Sequence, residues 1–156
     1  MIRAALLVLA TAAAPQAAAY CIHNNLDDRG IVVEQVAHRD RLRDERRLNA
    51  AIPPGKSRCC SVRNLDCNPD GRLASVVTVA ITIPGEPAYA CGYPAGSEPM
   101  VKVTGGGTVR VMRNPRAKSA SPYIVRVRTH DGQSLTGPHG LVCPVVEGRA
   151  GKQQPR

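Results

Sequence analysis

The sequence predicts an all-β protein: a single disulfide-bonded antiparallel β-sandwich of about seven to eight short strands. Three observations lead to that class. Short β-branched runs of alternating polarity recur between turns. Gly 14 and Pro 13 interrupt the 156 residues too often for a helical bundle. Six cysteines, an even number, follow a leader of the export type.

The leader comes first. Met1-Ile2-Arg3 gives a short positive start, residues 4–14 are apolar, and residues 15–19 end in an A-x-A pattern. This is the grammar of a secretory signal peptide, with cleavage expected before Tyr20. A lipid-anchored reading on Cys21 fails because the residue before it, Tyr20, is bulky. Residues 20–146 then form the β domain, and 147–156 read as a flexible, solvated tail. The destination is periplasmic or secreted. No apolar run approaches the ~20 residues a membrane-spanning helix needs.

Strands are expected at 20–24 and 31–36, then at 48–52, which ends in the turn Pro53-Pro54-Gly55. Further strands are expected at 57–65, at 74–83 (ASVVTVAITI), at 101–104, at 108–113 and at 123–129. Gly105-Gly106-Gly107 forms a turn between two of them. The stretch 38–49 holds five Arg, three acids and two Leu, with Leu42 and Leu48 at poor helical spacing. It reads as a charged loop with at most one helical turn. With Phe 0 and Trp 0, the core must come from Val, Ile, Leu, Ala and cystine. Disulfides at about 2–4 kcal/mol each therefore matter to net stability.

Cys59 and Cys60 are neighbours in a strand and point to opposite faces, so each should pair elsewhere. The partners are Cys21, Cys67, Cys91 and Cys143, and the pairing is open. Neither zinc half-sites nor a C-x-x-C redox motif is present. The run Cys59-Cys60 followed by Asp66-Cys67-Asn68-Pro69-x-Gly71-Arg72 resembles small secreted cysteine-rich proteins of bacteria and fungi. The resemblance spans about residues 20–112. It implies an exported, disulfide-bonded β domain and no activity.

Two candidate sites follow. Asp66, Asn68 and Asp70, with Gly71 at the bend, match the first half of a calcium loop. The twelfth position, where a bidentate Glu belongs, is Val77. The same residues also make a type I turn with Pro second, suited to joining two antiparallel strands. No other cofactor is implied.

The other site is electrostatic. Between residues 101 and 130 there are seven Lys or Arg and no acid. If 108–113 pairs with 123–129 through the intervening loop, alternation turns the valines inward. Arg110, Arg126 and Arg128 then share one outer face, with Ile124 and His130 also outward and Arg116 and Lys118 at the edge. Like charges on neighbouring strands repel, so such a face calls for solvent, an acidic neighbour or an anionic partner. An anionic glycan, a lipid or an acidic protein surface fits an exported protein. Nucleic acid fits poorly, since the face offers no aromatic side chains for base stacking.

Catalytic signatures are missing: no G-x-S-x-G, no H-E-x-x-H, no phosphate loop, and His23, His38, His130 and His139 far apart in sequence. The expected function is a non-enzymatic binding module. A structural surface protein without a ligand is the alternative, and a small secreted hydrolase comes third.

Overall fold

The computed structural model describes residues 19–36, 48–95, 98–116 and 121–146. The expected leader, the charged loop, Lys118 and the tail lie almost wholly outside the described residues. Among those residues the chain forms β1 (Ala19–Asn24), β2 (Ile31–Gln35), β3 (Asn49–Ile52), β4 (Ser57–Ser61), β5 (Val76–Ile83) and β6 (Tyr89–Cys91). Then follow β7 (Tyr93–Ala95), β8 (Glu98–Thr104), β9 (Thr108–Arg113), β10 (Tyr123–Arg128) and β11 (Leu141–Val142). No helix occurs among the described residues. The all-β, disulfide-bonded class read from the sequence is the class observed.

Two sheets divide the strands. One runs β11-β10-β9-β1-β4 and the other β3-β2-β5-β8-β7, with β6 also bonded to β5. Their inner faces meet in one cluster. Tyr20, Ile22, Val109, Val111, Val125 and Val127 come from the first sheet, and Val33, Val79, Ile81, Val101 and Val103 from the second. Each of these is at most 1% exposed. Strict alternation produces this: β5 alternates outward and inward along its whole length, as a strand with one buried face must. At about 1.5–3 kcal/mol per fully buried aliphatic side chain, the small-residue core is sufficient by number rather than by size.

Among the described residues, strand pairing is antiparallel with one exception. β1 runs parallel to β9, with His23 beside Arg110, while its other edge pairs antiparallel with β4. Parallel neighbours need a long connection, and here β2 to β8 all lie between them. The turn at Asn68-Pro69-Asp70-Gly71 forms as expected, with Gly71 at φ +62° and its N–H donating to the Asn68 carbonyl at 2.9 Å. It does not make a hairpin. β4 stops at Ser61, and the residues beyond it carry the chain from the first sheet to β5 in the second. The glycine turn at 105–107 likewise crosses between sheets, from β8 to β9. A Cβ on Gly105 would lie 2.3 Å from the Arg72 carbonyl oxygen, so only glycine allows the two crossings to touch.

The disulfides are Cys21–Cys59, Cys60–Cys67 and Cys91–Cys143. The adjacent cysteines do separate. Cys59 faces outward to its register partner Cys21 on β1, and Cys60 faces inward to the crossing loop. Cys91–Cys143 ties β6 to the residue after β11, joining the two sheets.

Candidate functional site

The outer face of the first sheet is built by alternation. On β9, Val109 and Val111 are buried while Arg110 is exposed; on β10, Val125 and Val127 are buried while Arg126 and Arg128 are exposed. The register sets Arg126 directly opposite Arg110 and Arg128 opposite Thr108. On the far side of β9, His23 lies beside Arg110, and Ser57 of β4 lies opposite His23. One row thus crosses four strands: Ser57, His23, Arg110, Arg126. Like charges directly opposite one another in a sheet are destabilising.

The ion pairs of Asp27 and Asp28 are made with other arginines. Arg113 pairs with Asp28 at 2.6 Å and with Asp27 at 3.8 Å, and Arg29 lies 3.9 Å from Asp28. Arg113 and Arg29 also stand over the buried Tyr123 ring at 5.2 and 5.9 Å. Among the described residues, no carboxylate is within ion-pair distance of Arg110, Arg126 or Arg128. The excess positive potential is felt by His23. Partial burial lowers its pKa below the usual histidine value, and the Arg110 guanidinium lowers it further. His23 Nδ1 and Ser57 Oγ are hydrogen-bonded at 2.8 Å.

At the end of this face a shallow groove of about 380 Å³ opens beside Arg126, with Arg116, His139 and Val142 on its walls. Ile124, expected outward, does lie on this side, yet it is only 2% exposed. It is paired with Val142 of β11 and lines the groove. Gly140, at φ +76°, brings the chain against the Arg126 stem, where a Cβ would come within 3.0 Å of Cγ and 2.8 Å of the Val125 carbonyl. Arg116 is exposed, and Lys118 is outside the described residues. His130 is exposed in the turn after β10, with its N–H donating to Thr104 Oγ1 at 2.9 Å.

The residues of the half calcium loop differ in exposure. Asp70 is exposed and Asp66 half-buried, whereas Asn68 is fully buried. Its Nδ2 donates to the carbonyls of Val62 and Arg72, both at 3.2 Å. Through that nitrogen Asn68 holds the crossing loop, while its Oδ1 is buried with no hydrogen-bond partner among the described residues. Among the described residues, no group of three or more His, Cys, Asp or Glu side chains is placed to hold a metal ion.

Sequence reasoning brought Arg110, Arg126 and Arg128 together and missed His23, Ser57 and His139. Alternation along β1 was a signal that His23 points outward. Its position beside Arg110 depends on the parallel β1–β9 pairing, which no local pattern announces. In comparisons with protein-family models, curated proteins and solved structures, the chain matches none.

Proposed function

We propose that this chain is an exported, non-enzymatic binding module whose Arg110, Arg126 and Arg128 face engages an anionic component of the cell envelope or extracellular space. The observation that carries the reading is the Arg110–Arg126 pair, opposed in register and without a carboxylate partner among the described residues. A sheet that keeps two guanidiniums face to face gains when an anion bridges them through charge-assisted hydrogen bonds. Three disulfides and the leader pattern support export. A glycan, a lipid headgroup and an acidic protein patch all present the required charge. The ligand-free structural role is the rival, with the arginines serving solubility alone.

The test is binding of the oxidised protein to a panel of anionic glycans and lipids at two salt concentrations. An Arg126→Ser/Arg128→Ser variant, shown to be folded and no less stable, is run beside it. Selective binding that weakens with salt and is lost in the variant supports the reading. Equal weak binding to every probe, or none, hands the arginines to the structural role.

A further inference from the structure

The arginine face also carries a covalent bond. Cys21 and Cys59 are register partners across β1 and β4, and their disulfide lies in the row next to Ser57, His23 and Arg110. Cys21 neighbours Thr108 on β9, and Arg128 stands opposite Thr108 on β10. Arg110 is thus one strand and two residues away from Cys21. With strands about 4.8 Å apart, that diagonal lies within reach of an arginine side chain.

The three disulfides differ sharply in access. Cys59 is exposed and Cys21 half-buried. Cys60 and Cys67 are 3% and 5% exposed, and Cys91 and Cys143 are both 0% exposed. Thiol–disulfide exchange needs a thiolate to approach along the S–S axis, so access sets which bond reacts. Charge sets which thiolate arrives. Uncompensated guanidiniums attract an anionic thiol and stabilise the thiolate that leaves.

We infer that Cys21–Cys59 is a thiol-exchange site selective for anionic thiols. The incoming thiolate attacks Cys59 Sγ and a new S–S bond forms there. The Cys21–Cys59 bond breaks, and its electron pair leaves on Cys21 Sγ as thiolate. A second thiol then attacks the mixed disulfide, releasing the Cys59 thiolate and a small-molecule disulfide. Two thiols are oxidised and one protein disulfide is reduced by two electrons. The inference does not depend on the proposed ligand, because a protein that binds no glycan or lipid still presents this bond.

The experiment treats the oxidised protein with limiting mercaptoethanesulfonate, 2-mercaptoethanol or cysteamine, which carry anionic, neutral and cationic groups. Rates are normalised to thiolate concentration. Free thiols are then alkylated and located by peptide mass spectrometry. The expected first product carries the mixed disulfide on Cys59 and the alkyl group on Cys21, with the other two disulfides intact. The anionic thiol should outpace the cationic one by on the order of tenfold at low salt. High salt, or Arg110→Ser/Arg128→Ser, should bring the ratio toward one. Reaction first at a buried pair, a mixed disulfide on Cys21, or a ratio of one in the unaltered protein at low salt overturns the inference.

Discussion

Arg110 and Arg126 occupy one register position on neighbouring strands, so each raises the cost of the other. Replacing either by Ser should stabilise the ligand-free protein by on the order of 0.5 kcal/mol at low salt. The gain should fade at high salt, where the repulsion is screened. Urea midpoints at two salt concentrations, with unchanged slope, check it. Asn24 is the opposite kind of residue, fully buried and fully used. Its Nδ2 donates to the carbonyls of Arg29 and Ile52 at 2.8 and 3.0 Å, and its Oδ1 accepts from the Leu26 N–H at 3.1 Å. It fastens the end of β1 to β3 in the other sheet. Asn24→Ala strands buried backbone groups and should cost about 2 kcal/mol or more, read from the same urea midpoints. Only the bond from Leu26 is local; the two carbonyls held by the Asn24 amide nitrogen lie 5 and 28 residues away, so the cross-sheet role is not marked in the sequence.

At the scale of elements, the legible strands were those long enough to alternate. β5, β9 and β10 match their expected ranges almost to the residue because inward and outward positions trade places along them. β6, β7 and β11 have three, three and two residues, too few for a period to appear. Gly92 and Pro94 interrupt that region further. β4 is shorter than the expected 57–65: Val62 and Leu65 resemble strand residues, yet the chain is already turning there, with the Asn64 N–H donating to the Ser61 carbonyl at 2.9 Å. The Asn68–Gly71 turn was legible and its hairpin was not, since turn chemistry is local and strand partners are not. The disulfides now have distinct loads. Cys91–Cys143 closes the longest loop, with sequence separation 52, and Cys60–Cys67 the shortest, with separation 7. On loop entropy, removing the first by paired Ala substitutions should cost about 4 kcal/mol and removing the second about 2.5 kcal/mol. Denaturant unfolding of the two paired variants tests that order.

The whole molecule separates its charges. The full sequence has a net charge of +9; among the described residues Asp27 and Asp28 neutralise Arg113 and Arg29, while the outer row of β1, β9 and β10 holds His23, Arg110 and Arg126 together. The arginine half of that row was legible from alternation alone. Its histidine was not, because the chain reaches β9 only after crossing between the sheets. His23 consequently reports on the face. In the free protein, partial burial and Arg110 keep its pKa low. An anion seated between the guanidiniums reverses the Arg110 contribution, so the bound state should hold the His23 proton more firmly. By linkage, binding should then tighten as pH falls through the histidine range. The measurement to make is an NMR titration of His23 with pH, without and with a saturating sulfated oligosaccharide or anionic lipid micelle. The His23 pKa should rise on binding, with resonances of Arg110, Arg126 and Arg128 moving together and ion-paired Arg113 staying still. A saturated complex that leaves His23 unmoved, shifts centred on Arg113, or no saturable shift with either probe would contradict it.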